Sequence, residues 1–430
     1  MNKIVAIVIT ILLSMMFVYD YKKRRDLFSP ICFFSLFTFI TRVPRILILD
    51  EITIFNIKYS DGDLFLYLIY FMIYLLFIFF SMDYFTKKYS INFINDKFDE
   101  KILKKGLCLV ALGVFSQILL IELVGGVSFI WNNISKTSFL LSGYGYILWL
   151  TVFSTYGIGL LLSNFLVKNK LKNKIIFWGV FSGVCLLTLA FGKRAPLFRM
   201  ITAIIPIIYY YDRDIVKRIV SVRNLMIGTL LCFVLIVFPL MRTSNFEVSL
   251  SSITGLISMN NSIYSIIYNI SPGVDADLFT FTYFTEHDKW LGKSYIDLLY
   301  AWIPSSILQN KPPVDDGVYL NNLMLGFNVE PSLSINEFPH RSSVPFTNEG
   351  FAFANFGVLG LIVYSFLYGL IICKQYNKIK GETKVIDIIF YGMLISTLAL
   401  SVKGTVELIM GYFIYRFVKL IAKYKIRIKY

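Results

Sequence analysis

Long apolar runs, separated by short stretches rich in Lys and Arg, dominate this chain. A helix that crosses a hydrocarbon core of about 30 Å needs roughly 20 mainly apolar residues. Eleven segments fit: 2–19, 28–48, 63–82, 106–124, 144–167, 175–191, 197–211, 224–241, 350–373, 385–402 and 404–418. The pattern predicts an all-α polytopic membrane protein with about 11 transmembrane helices, within a range of roughly 10–12. It divides the chain into an eight-helix membrane region over 1–241, a large external loop with interfacial helices over 242–349, a three-helix membrane region over 350–418 and a basic cytoplasmic tail over 419–430. The first run has the length of a signal peptide. No small-residue cleavage site precedes Tyr19-Asp20-Tyr21-Lys22, so it is expected to stay as a helix. No internal repeat of the kind that builds duplicated transporter folds is evident.

Composition agrees with the pattern. Of 430 residues, 57% are hydrophobic and 16% charged, whereas a soluble domain has about 45–50% and about 25%. Net charge is +15, and its meaning depends on where the cations sit. Alternate loops hold 28 of the 42 Lys and Arg, in clusters such as Lys22 to Arg25 and Lys168 to Lys174. The positive-inside rule then puts the N-terminus outside, the C-terminus in the cytoplasm and the long loop outside. Cations spread over short segments beside helix ends suit anionic lipids, and no nucleic-acid module accompanies them, so nucleic acid is excluded as a partner. The five cysteines fall in apolar stretches and imply neither disulfides nor a metal site.

Charges at the ends of spans carry the chemical information, because an Arg, Lys or Asp at a helix centre costs about 2.5–3.5 kcal/mol. They include Arg42, Arg45, Glu122, Lys193, Arg194, Arg199, Arg242, Lys403 and Glu407. Snorkelling to head groups is the simple explanation for any one of them. Six of the 14 outside cations are Arg, against seven of 28 inside, which is the direction expected of a phosphate clamp. In Gly192-Lys193-Arg194-Ala195-Pro196-Leu197-Phe198-Arg199, Pro196 in a first-turn position would set the cations around a helix N-terminus, an anion site.

The long loop contains Phe279, Phe281, Phe284, Trp290, Tyr295, Tyr300 and Trp302, too many aromatics for a solvated linker. Stretches 251–270 and 290–308 are amphipathic enough to lie at the interface or to cap the helices. Eleven acids face five bases there. Asp275-Ala-Asp277 and Asp61-Gly-Asp63 have the spacing of a divalent-ion pair but supply too few oxygens, so no metal is expected. His287 lies in a polar run that reads as solvated loop. His340-Arg341-Ser342-Ser343, followed by Glu349-Gly350 where the chain re-enters the membrane, gathers a His, an Arg and a carboxylate near the outer leaflet. His340 or Glu349 could act there as general base. The alternative is a turn followed by a helix cap.

These residues also carry a resemblance. Gly192-Lys193-Arg194 between two spans, Ile303-Pro304 and Lys311-Pro312 in the long loop, and Glu349-Gly350 before Asn355-Phe356-Gly357-Val358-Leu359-Gly360 resemble bacterial O-antigen and capsule repeat-unit polymerases of the Wzy type. The likeness in layout covers nearly the whole chain. The Arg-plus-ten-residues-plus-Gly patterns of some members are not evident around Arg194 or Arg341. The resemblance implies the membrane-embedded glycosyltransferase C-type architecture in the bacterial cytoplasmic (inner) membrane and no cofactor. It further implies transfer of a growing glycan from undecaprenyl pyrophosphate onto an incoming lipid-linked repeat unit, in lipopolysaccharide or capsule biosynthesis. Arg194, Arg199, Arg242, Arg341 and Lys193 would hold the pyrophosphate, and His340 or Glu349 would be catalytic. Partners would be undecaprenyl-pyrophosphate-linked glycans, membrane lipids and a chain-length regulator protein. The alternatives are a lipid-linked oligosaccharide flippase and an O-antigen ligase.

Overall fold

The computed structural model describes residues 1–50, 57–87, 100–133, 141, 144–168, 170–191, 195–211, 267, 271, 273–297, 299–300, 303, 307–313, 315–340, 342–381, 384–399 and 405–423. Among the described residues there are helices and turns but no strands, and seven helices are long and apolar enough to cross a membrane. The chain is an all-α membrane protein. The predicted span 224–241 and the amphipathic stretch 251–270 lie outside the described residues, apart from Ile267.

Two compact units divide the chain in a way the loop boundary does not: Met1–Lys88 with Ser258–Asn377 and Thr397–Val406, and Tyr89–Ile257 with Lys378–Ser396 and Glu407–Tyr430. Much of the long polar segment therefore folds with the first three spans.

In the first unit, α1 (Asn2–Arg24) and α3 (Asp61–Phe85) run parallel, with Met1 beside Asp61 and Lys23 beside Asp83, and α2 (Pro30–Leu47) packs against both. Local chemistry sets their ends. Pro30 opens α2, and a capping box opens α3, with Ser60 Oγ accepting the Asp63 N–H at 3.2 Å and Asp63 accepting the Ser60 N–H at 2.7 Å. α1 closes on Lys22, Lys23 and Arg24, cations that suit the negative end of a helix. There Asp83 of α3 accepts from Lys23 at 2.6 Å and from Arg24 at 2.9 Å. α13 (Asn348–Gly381) runs beside α3, with Ser81 Oγ bonded to the Phe366 carbonyl at 2.8 Å and the Tyr376 hydroxyl bonded to Asp26 at 2.6 Å. Ile4, Ile7, Ile11, Met15 and Val18 form an exposed apolar stripe on α1, as Leu359, Val363, Phe366 and Leu367 do on α13. Such stripes face lipid in a spanning helix.

At the end of this unit where Asn2 lies, the polar segment adds α10 (Gly273–Glu286), α11 (Lys293–Asp297), α12 (Gly317–Met324) and a 3-10 turn at Ile335–Glu337. Its core is aromatic, as expected of a folded segment. Trp290 is buried against Phe284, Tyr319 and Phe346, with ring centroids 5.1, 5.7 and 5.7 Å away.

The second unit contains α4 (Glu100–Val124), α5 (Gly126–Asn132), α6 (Gly145–Leu150), α7 (Val152–Val167), α8 (Leu171–Ala190), α9 (Ala195–Tyr211), α14 (Val385–Ala399) and α15 (Thr405–Lys423). The run predicted as one span over 144–167 is one apolar helical stretch, Gly145–Val167, in which Thr151 between α6 and α7 keeps helical angles of φ −60° and ψ −23°. α4 and α7 cross at glycines: a Cβ on Gly157 would stand 2.6 Å from the Gly106 carbonyl oxygen. Close backbone contact of this kind is how small residues join spans.

Candidate functional site

The arginines at the end of the second apolar run meet the acids of the polar segment. Arg42 and Arg45 stand three residues apart on α2, hence on one face, and both are fully buried. Snorkelling would have left them in the head groups. Instead α10 packs against α2 and α3 and presents two carboxylates. Arg45 is bidentate to Asp275, with Nε to Oδ2 and Nη2 to Oδ1 both at 2.8 Å. Arg42 takes two partners, Asp277 through Nη1 and Glu349 through Nη2, and its guanidinium carbon lies 5.2 Å from the Phe71 ring centroid. The acid pair Asp275-Ala-Asp277 thus serves guanidinium groups.

Thr347 closes this cluster from the chain entering α13. Its hydroxyl donates to Asp277 and accepts the Gly350 N–H at 2.8 Å. A Cβ on Gly350 would come within 2.8 Å of both Asp277 Oδ1 and Thr347 Oγ1, so only glycine lets the backbone approach this close. Burial pushes the Asp275 and Asp277 carboxyls above the usual carboxylate range, and the facing guanidinium groups pull against that shift. With two carboxylates on one Arg42, the buried group is neutral only when one of the two holds a proton.

Seven residues beyond Gly350, α13 is interrupted. Gly357 has φ 59° and ψ −142°, a conformation open to glycine alone. The interruption frees carbonyls at the end of the first piece, and the polar segment supplies their donors. Trp290 N–H bonds to the Ala354 carbonyl and Leu291 N–H to the Asn355 carbonyl, both at 3.0 Å. The Ser294 hydroxyl reaches Asn355 Oδ1 at 2.8 Å. Lys289 donates to the Phe284 carbonyl near the end of α10 and lies 3.5 Å from where a Gly357 Cβ would stand. Asn355-Phe356-Gly357 is thus a helix break fastened by the loop. Ile303 and Lys311 also touch: the ammonium, its pKa lowered by burial, donates to the Ile303 carbonyl at 2.7 Å.

The sequence candidates fall in different places. His340 is exposed, with its ring 5.3 Å from that of Phe327. The buried Asn322 holds the His340 backbone from both sides, donating to its carbonyl at 2.7 Å and accepting its N–H at 3.1 Å. Glu349 is buried against Arg42. Arg199 belongs to the second unit, half-buried on α9, whose first turn does contain Pro196. Lys193, Arg194, Arg242 and Arg341 lie outside the described residues. His287 stacks on Tyr283, with centroids 3.9 Å apart. Asn322, Thr347 and Lys289 were not singled out from the sequence, where each stands as one polar residue among many in the loop.

Comparison with protein-family models, with curated proteins and with solved structures gave no match. Fold and site define a polytopic all-α membrane protein whose polar segment is fastened to the ends of α2 and α13 by buried ion pairs and backbone bonds.

Proposed function

We propose that this chain is a glycosyltransferase that polymerises undecaprenyl-pyrophosphate-linked repeat units into a surface polysaccharide at the outer face of the bacterial inner membrane. In this proposal it has about 11 spans, an outside N-terminus and a glycosyltransferase C-type architecture. The observation that supports it is the shared task of the motif residues. Ile303 with Lys311, Glu349-Gly350 and Asn355 to Gly357 all lie in the first unit, where Glu349 ties α13 to Arg42 of α2 and the break at Asn355 to Gly357 takes its bonds from the polar segment. A fixed polar surface at a membrane interface suits an enzyme whose substrates are lipid-anchored.

The exposed and backbone-anchored His340 is the proposed general base. The acceptor hydroxyl oxygen attacks the anomeric carbon of the donor glycan, its proton passes to the imidazole, and the bond to the pyrophosphate oxygen breaks with its electron pair leaving on undecaprenyl pyrophosphate. Arg194, Arg199, Arg242, Arg341 and Lys193 keep the pyrophosphate role that their sequence positions suggest. Glu349 takes a positioning role through Arg42 instead of meeting the acceptor.

Purified protein supplied with one defined lipid-linked repeat unit tests the proposal. A ladder of oligomers formed without nucleotide sugar is the expected result. Unchanged repeat units, in protein that remains folded, would overturn it.

A further inference from the structure

Residues 291–297 and Leu299 are built partly inside out. Two polar side chains face inward: Ser294 is bonded to Asn355, and Asp297 accepts the Tyr319 hydroxyl at 3.0 Å and the Ser332 N–H at 2.9 Å. Three large apolar side chains face outward, with Leu291, Ile296 and Leu299 exposed by 75%, 56% and 68%. Leu291 holds this position at φ 51°, a left-handed conformation disfavoured for leucine, while its N–H is tied to the Asn355 carbonyl. A segment in water would reverse the arrangement.

Its surroundings identify what covers it. Tyr295 stacks on Phe356 of α13 with centroids 6.1 Å apart, and Gly292 lies against the same ring. Phe356 heads the exposed stripe that continues through Leu359 and Val363 to Phe366 along a helix long enough to span a bilayer. The apolar surface of Leu291, Ile296 and Leu299 is therefore continuous with a lipid-facing surface. Lys293 of the same segment is exposed, its ammonium 4.0 Å from Glu330, and a long cationic side chain at this edge suits phosphate head groups.

We propose that Leu291, Ile296 and Leu299 dip into the lipid leaflet at the α13 end that carries Asn348, anchoring the polar segment in the membrane surface. A bilayer, and not a protein partner, covers these side chains, because their surface runs on into the lipid-facing stripe of α13. The inference does not depend on the polymerase assignment.

The test uses the full chain with native cysteines replaced by serine, reconstituted in phosphatidylethanolamine–phosphatidylglycerol vesicles. Ile296→Cys, Leu299→Cys and, as a control on an exposed polar position, Asn336→Cys are labelled with bimane. Lipids brominated near the head group should quench the first two at least about twofold more than the control. Quenching at 296 and 299 by aqueous iodide alone would overturn the proposal. Protection from both quenchers would also overturn it, since a protein surface would then cover the segment. Because only fluorescence is read, failure of the activity assay leaves this result unaffected.

Discussion

Arg45 and Asp275 form a bidentate, fully buried pair across 230 residues of sequence, while the neighbouring Arg42 divides its guanidinium between Asp277 and Glu349. The two arginines therefore differ in what they lose with one acid. Asp275→Asn removes the bidentate partner of Arg45 and is expected to cost about 3–5 kcal/mol. Asp277→Asn leaves Arg42 with Glu349 and should cost about 1 kcal/mol. Thermal unfolding of the two variants in the same detergent checks the order. Equal losses would mean that the acids are not divided in this way.

Gly350 should be intolerant for a stated reason. The methyl of Gly350→Ala meets Asp277 and Thr347 oxygens at 2.8 Å, an overpacking worth about 1–3 kcal/mol. Gly183→Ala on α8 meets nothing within 4 Å and should be neutral or stabilising by up to about 1 kcal/mol. Unfolding midpoints of both variants distinguish a local clash from a general sensitivity of glycines.

Gly357→Ala forces a side chain into a glycine-only conformation, at a cost of about 1–3 kcal/mol. Relief would come from straightening α13, which pulls Ala354 and Asn355 away from Trp290 and Leu291. Amide exchange at Trp290 and Leu291 should accelerate in this variant while exchange within α3 stays unchanged. Unaltered exchange at both amides would show that the break does not depend on glycine.

His340→Ala is expected to lower oligomer formation by about 10²–10⁴. Because the ring is exposed, stability should change by less than about 0.5 kcal/mol. The oligomer ladder and the unfolding midpoint, measured on the same preparation, separate the two effects. Retained turnover would remove His340 from the reaction.

Seven of the predicted spans were legible because hydropathy acts locally, whereas the Pro30 and Ser60 starts that set the ends of α2 and α3 were not read from the sequence. Arg42 and Arg45 stood out as charges where lipid opposes charge, and Asp275, Asp277 and Glu349 stood out as acids of the loop. Their pairing was not legible. Helical periodicity gives a residue its face, but no spacing rule connects α2 with partners more than 200 residues away. The same gap explains Asn355-Phe356-Gly357. The break needs donors from Trp290 and Leu291, which nothing in the local sequence announces.

The ion pairs also impose an order on biosynthesis. Arg42 and Arg45 leave the ribosome 230 or more residues before Asp275, Asp277 and Glu349, an interval of roughly 10–60 s at usual elongation rates. During that time α2 must be held with two bare cations, at the water interface or beside insertion machinery. A stalled chain ending before residue 273 should therefore leave Arg42 and Arg45 accessible to water, which cysteine labelling at neighbouring positions would detect. The end of α2 reaches its final depth only when the polar segment arrives.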